Sequence, residues 1–185
     1  NVRHLFDNVW EALQQAFFQV GSIITTTGYA TTDFNQWPAV SRTILVLLTF
    51  CGACAGSTGG GIKISRLLLL AKSVRKELHL YLHPNAVKKI KMDGKAVSHE
   101  VMRATNIYMI VYLMIVATSI FIISFDEFDL VTNFTAVVTT LNNVGPGLSL
   151  IGPTGNFVLS FDMLAGRLEL FPILILFLRE TWKKF

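Results

Sequence analysis

From Ile107 to Phe125 the chain runs nineteen residues without a charged side chain, and a segment of that kind leaves few folds open. About 20 apolar residues are what an α-helix needs to cross the hydrocarbon core of a bilayer, so a spanning helix is expected here. Composition points the same way. With 52% hydrophobic and 15% charged residues, there is too little polar surface to clothe a water-soluble domain of 185 residues. A second apolar run, Phe157 to Leu178, carries Asp162, Arg167 and Glu169. Hydrocarbon alone would not accept those charges cheaply, so they call for surroundings of protein or water. Together the runs predict one helix going out at 107–125 and one returning at 157–178.

The basic residues fit that topology. Lys72, Arg75, Lys76, Lys88, Lys89, Lys91, Lys95 and Arg103 lie between two apolar segments, and Arg179, Lys183 and Lys184 follow the last one. Positive charge collects on the cytoplasmic side of membrane proteins, which puts the connector 73–103 and the C-terminus there. Topology thus accounts for the net charge of +4, and nucleic acid is not expected as a partner. The chain starts at Asn1 with neither an initiator Met nor a signal peptide, so it is expected to be a piece of a longer protein. Cys51 and Cys54 sit in an apolar run with no second pair, which makes them small packing residues rather than a redox or metal site.

Between Asp7 and Ile24 the pattern is helical. Asp7 or Asn8 would cap the helix, Val9, Leu13, Ala16, Phe17, Val20 and Ile24 form an apolar face, and Glu11, Gln14, Gln15 and Gln19 lie elsewhere. It is too polar to span. The turn Thr25 to Ala30 follows, then a polar stretch to Trp37-Pro38, where an aromatic suits a membrane interface. An apolar helix from Ala39 to Cys54 is next, broken by Ala55 to Gly61 and resumed from Ile62 to Ser73. Three consecutive glycines, Gly59, Gly60 and Gly61, do not hold a regular helix. Broken backbone at membrane depth survives only inside protein or beside a wet cavity. Asp93-Gly94, between short alternating segments within Val87 to Val97, predicts a β-hairpin. Phe128 to Leu141 is too short to span and runs into Asn142 to Gly147, as if it entered the membrane and turned back.

Laying Gly28 on Gly145, an offset of 117 residues, superposes Phe17 on Phe134 and Thr26 to Ala30 on Asn143 to Gly147. The order of short helix, glycine turn and spanning helix therefore occurs twice, which is the pore-loop plan of cation channels. An extended backbone of this kind can turn successive carbonyl oxygens inward to replace the hydration shell of a potassium ion.

At these residues the sequence resembles the TrkH/KtrB branch of the superfamily of K transporters. Thr26-Thr27-Gly28-Tyr29-Ala30 is similar to that family's third filter strand and Asn143-Val144-Gly145-Pro146-Gly147 to its fourth. Gly56-Ser57-Thr58-Gly59-Gly60-Gly61-Ile62-Lys63 resembles its intramembrane gating loop, and Gly166 to Leu170 its last inner helix. The resemblance implies an all-α membrane protein built from pore-loop repeats of outer helix, pore helix, filter and inner helix, with a short cytoplasmic β-hairpin. Residues 1–72 would be a third repeat lacking its outer helix, 73–103 the basic connector, and 104–185 the fourth repeat. The implied function is potassium transport in a bacterial inner membrane. Thr26, Thr27, Gly28, Tyr29, Asn143, Val144, Gly145 and Pro146 would bind the ion in the filter. The glycine loop and Arg167, whose charge opposes cation passage, would gate it. Other implied partners are the N-terminal repeats of the same protein, a second copy in a homodimer, and a cytoplasmic ring of nucleotide-binding regulatory subunits. Pro146 stands where Tyr29 does in the other strand, so the filter is not fourfold symmetric and its selectivity could be loose enough to pass sodium.

Plainer readings stand beside these. The glycine loop could be only a kink for helix packing, with Gly52 and Gly56 at small-residue spacing. It is no phosphate-binding loop, because Ile62 separates the last glycine from Lys63 and no strand precedes it. Arg167 could pair with Asp162 or with Glu169, although residues two apart on a helix point nearly opposite ways. His79, His83 and His99 have no metal-ligand spacing. A secondary transporter of another solute could also use broken helices. An enzyme is not expected, since no set of nucleophile, base and orienting group is present.

Overall fold

The structure, a computed structural model, describes residues 2–6, 8–51, 60–84, 89–145, 152–168, 170, 172 and 175. Among them are six α-helices: α1 (Val9–Ile24), α2 (Ala39–Phe50), α3 (Ile64–Leu82), α4 (His99–Ile123), α5 (Leu130–Leu141) and α6 (Pro153–Arg167). Strands β1 (Lys91–Met92) and β2 (Lys95–Ala96) pair antiparallel.

α4 contains the run expected to span as far as Ile123. It begins eight residues before the charge-free run, where the Ser98 hydroxyl accepts the amide of Val101 at 3.4 Å and Glu100 favours the positive end of the helix dipole. With the short 3-10 turn that follows, it is the one stretch among the described residues long and apolar enough to cross a membrane. Tyr108, Tyr112, Val116, Ser119 and Ile123 recur every three or four residues and are buried against α5 and α6. Ile110, Leu113, Met114 and Phe121 face outward.

α5 is short and almost wholly enclosed: Asn133 and every residue from Thr135 to Leu141 are buried. Its polar side chains are compatible with that because they serve the helix itself. Thr135, Thr139 and Thr140 each donate to carbonyls three and four residues back, at 2.7–3.1 Å. α6 starts at Pro153, where a missing backbone N–H costs nothing, and Asp126 reaches from the end of α4 to accept the Gly155 amide at 2.9 Å. Asp162 is fully buried, and Ser119 of α4 donates to its Oδ1 at 2.9 Å. For Asp162, the protein surroundings expected of this run are thus supplied in part by α4, while Arg167 is exposed and Glu169 lies outside the described residues.

Several expectations are corrected. The run Phe157 to Leu178 is not one helix, because α6 ends at Arg167 with Leu168 in the C-cap position. Pro172 has no N–H to return to the Leu168 carbonyl four residues back, and its ring crowds that carbonyl. The resumed helix does not end at Ser73, because α3 continues to Leu82 and carries Lys72, Arg75 and Lys76. Lys, Arg, Glu and Leu are good helix formers, and nothing interrupts them before Pro84. Trp37 is enclosed by protein rather than open to a surface. It is 5% exposed, packed with Ile23, Leu45 and Val144.

α1 departs in part from the amphipathic reading. Gln19 is 2% exposed, whereas Phe17 is 74% exposed and Val9, Leu13 and Ile24 are exposed with it. Of the expected apolar face, Ala16 and Val20 pack inward and the other four look away from the described residues, as suits a helix with lipid or further protein on that side. Asn8 occupies the N-cap position without a side-chain hydrogen bond, and Asp7 lies outside the described residues. The hairpin agrees with its sequence signal. Asp93 (φ 50°) and Gly94 (φ 79°) form its turn, and Lys72 of α3 donates to the Lys91 carbonyl at 2.8 Å.

The contact between α5 and α6 depends on Gly166. A Cβ there would run into the Leu141 carbonyl oxygen and lie 2.6 Å from Asn143 Nδ2. Gly166→Ala is therefore expected to cost about 1–3 kcal/mol of stability, the range for overpacking, read as a lowered unfolding temperature in detergent.

Candidate functional site

The two glycine turns follow one backbone recipe. After α1, the amide of Thr25 bonds to the Gly21 carbonyl, Thr26 to Ile23 and Thr27 to Ser22, at 2.9–3.1 Å. After α5, Asn142 bonds to Val138, Asn143 to Thr140 and Val144 to Thr139, again at 2.9–3.1 Å. Every donor and acceptor of the second set stands at the position of its counterpart in the first once Gly28 is laid on Gly145. The dihedrals agree as well. Thr26 (φ 54°) matches Asn143 (φ 55°), and Gly28 (φ 81°) matches Gly145 (φ 98°). A β-branched residue rarely adopts positive φ, so Thr26 is held there by its surroundings.

The turns converge. A Cβ built on Gly145 would lie 3.9 Å from the Cα of Gly28, so the two glycines face each other with ordinary contact distance between them. Among the described residues, no backbone amide donates to the carbonyl oxygens of Thr26, Thr27, Gly28, Asn143, Val144 or Gly145. Backbone carbonyls seldom remain without a partner, and a row of them is chemically suited to a desolvated cation. The Tyr29 carbonyl differs, since the Ser22 hydroxyl donates to it at 2.6 Å. Its ring is 73% exposed. Pro146 lies outside the described residues.

Both turns are braced from behind. Gln19 of α1 donates through Nε2 to the Thr32 carbonyl at 3.0 Å, and Thr31 donates to Gln15, so the strand after Gly28 is fastened to the helix before it. Val144 is buried beside Ile23, Trp37 and Leu45, which joins the second turn to the first repeat. Asn142 is fully buried. Its Nδ2 donates to the Val138 carbonyl at 2.8 Å and its Oδ1 accepts the Tyr112 hydroxyl at 3.1 Å.

Of the glycine loop, residues 56 to 59 (Gly56, Ser57, Thr58 and Gly59) lie outside the described residues, as does Cys54. Gly60 and Gly61 are buried directly beneath the second turn. A Cβ on Gly60 would lie 2.7 Å from Asn143 Nδ2, and one on Gly61 2.6 Å from Asn142 Oδ1. Gly61 also has positive φ, 84°. Lys63, half-buried, occupies the N-cap position of α3. Arg167, exposed in the last turn of α6, immediately follows the glycine that touches Leu141 and Asn143. The two turns stand where the sequence repeat puts them, and of the loop only Gly60 and Gly61 are described; Ser22, Tyr112 and Asn142 were not anticipated as their supports. A small hydroxyl one turn before each glycine motif was the available signal for Ser22.

A family model described as TrkH, cation transport protein, matches residues 5–184. The Trk system potassium uptake protein TrkH of Salmonella typhimurium strain LT2 is 38% identical over 188 residues, covering 98% of this chain and 39% of that protein. The Trk system potassium uptake protein TrkG of Escherichia coli K12 is 32% identical over 175 residues, covering 91% and 36%. The crystal structure of the potassium transporter TrkH from Vibrio parahaemolyticus superposes with a TM-score of 0.88 at 37% identity, covering 97% of this chain and 40% of that one. The chain therefore spans about two fifths of the length of the relatives it matches.

Ser22→Ala would leave the Tyr29 carbonyl without its donor. A loss of about 1 kcal/mol is expected, measured by thermal unfolding in detergent, with faster amide hydrogen exchange between Thr27 and Thr32.

Proposed function

Because this chain belongs to the TrkH family of cation transport proteins, we propose that it forms two of the pore loops of a potassium-conducting, channel-like transporter. The observation that carries the reading is the doubled turn: the same amide-to-carbonyl pattern and the same positive dihedrals, brought together at Gly28 and Gly145. On this reading potassium passes along the carbonyl oxygens of Thr26, Thr27 and Gly28 on one side and Asn143, Val144 and Gly145 on the other. Tyr29 and Pro146 follow the two glycines in sequence and belong to the same candidate filter. The relatives named as potassium uptake proteins support potassium as the transported ion.

In the proposed repeats, 1–72 supplies a pore helix (α1), a filter strand and a broken inner helix (α2 and α3). Residues 104–185 supply an outer helix (α4), a pore helix (α5), a filter strand and an inner helix (α6). Two pore loops do not close a ring, so further repeats of the same protein complete the pore, in the multi-pass setting of a bacterial inner membrane. The connector 73–103 and the C-terminus face the cytoplasm. There the basic hairpin is a contact for a nucleotide-binding regulatory ring, and a second copy would complete a homodimer.

Gating falls to the loop from Gly56 to Gly61, with Lys63 at its exit, and to Arg167. The loop's end lies against Asn142 and Asn143 at the base of the filter, so a conducting state requires it to shift. A guanidinium below the filter raises the energy of a nearby cation, an effect that a low-dielectric pore magnifies.

Gly28→Ser places a side chain at φ 81°, a conformation costing about 1–2 kcal/mol for an L-residue. In the complete protein that carries this chain, about a tenfold loss of potassium preference over sodium is expected, measured by uptake into transport-deficient cells. Unchanged rate and preference would rule the filter assignment out. Arg167→Gln is expected to raise potassium flux at a fixed gradient, and a flux that falls or stays level would count against the arginine as a barrier.

A further inference from the structure

We propose that Tyr112 is a positioning residue for ion selection, acting through Asn142 on the filter turn at Asn143 to Gly145. The inference rests on the filter assignment above and adds to it a side chain from the outer helix.

Asn142 is the last residue before the turn leaves helical geometry, and its successor, Asn143, must hold φ 55°. Asparagine tolerates the left-handed region better than most residues, but tolerance alone does not select it, and the contacts around Asn142 and Asn143 hold the turn there. Each amide group of the Asn142 side chain has one defined role. Nδ2 returns to the Val138 carbonyl of its own helix, and Oδ1 takes the Tyr112 hydroxyl from α4. Tyr112 is 1% exposed and Asn142 0%, so neither group has water as a substitute partner. Gly61 lies against the same Oδ1, and Gly60 against the Asn142 carbonyl and the Asn143 amide. The Asn142 side chain is therefore clamped between a fixed helix and the end of the glycine loop.

Tyr112 is itself held. Its ring stacks on Tyr108 at a centroid distance of 6.4 Å, and the Arg66 guanidinium of α3 sits 4.0 Å over the Tyr108 ring. Ile62, directly after the loop, belongs to the same apolar cluster as both tyrosines. One helix, α4, thus carries the supports of the filter base and of the first turn after the loop. If the Tyr112 hydroxyl is removed, Asn142 Oδ1 is left buried without its donor, and the amide can relieve this only by turning. That turning shifts Asn143, whose carbonyl is one of the proposed ion ligands.

The test is the potassium-to-sodium flux ratio of the complete protein in proteoliposomes, for Tyr112→Phe, Asn142→Leu, the double variant and Gly28→Ser. Tyr112→Phe retains the ring and its stacking. It is expected to lower the ratio about fivefold, and to change it no further when Asn142 is already Leu. An unchanged ratio in Tyr112→Phe, or an equal drop in both backgrounds, overturns the proposal. Should Tyr112→Phe not accumulate in the membrane, Asn142→Leu decides alone, and an unchanged ratio there is equally fatal. Gly28→Ser separates the two levels. If it shifts the ratio while Tyr112→Phe does not, only the positioning role fails; if neither does, the filter assignment fails first.

Discussion

Around Asn142 and Asn143, three stretches of chain meet a fourth, two of them at backbone distance. α6 arrives through Gly166, the glycine loop through Gly60 and Gly61, and α4 through the Tyr112 hydroxyl, all against the end of α5. Side chains at those glycines would separate the elements by more than the structure can absorb. This packing constraint explains why glycine is needed at the three positions, and why α5 can be short. A helix of 12 residues has little stability of its own and stands because it is enclosed.

The same constraint divides what the sequence reveals from what it does not. The spanning helix, the hairpin and the repeat at Gly28 and Gly145 were legible because each has a local signature: an uncharged run, an Asp-Gly pair, and glycine where φ is positive. Element ends were less legible. α3 outran its expected end at Ser73 because basic residues, taken as a connector, are also good helix formers. α6 stopped short because the effect of Pro172 is felt four residues earlier, at Leu168. The support of the candidate site was hidden for another reason. Tyr112 and Asn142 are thirty residues apart, and no periodicity in either helix marks their meeting.

Burial patterns were misread where the surroundings are not water. An apolar face predicts the inside of a soluble fold, and α1 departs from that rule in part: Gln19 is enclosed and Phe17 exposed. The polar atoms of α1 are spent on the chain that returns from the turn, through Gln15 and Gln19. α5 shows the opposite case, in which threonines become compatible with a dry interior by bonding to their own helix. In both helices it is hydrogen-bond supply, more than hydropathy, that decides which face is covered.

α3 extends very unequally to the two sides of one contact. Its first turn is fixed where Arg66 rests on Tyr108, close to the end of the glycine loop, while the helix runs on about 24 Å beyond that point at 1.5 Å per residue. The loop side of this contact is only about 5 Å long, three residues from Lys63 to Arg66. Beyond Arg66 the helix therefore reaches about five times as far as it does before it, and Lys72, six residues on, is where it meets the hairpin.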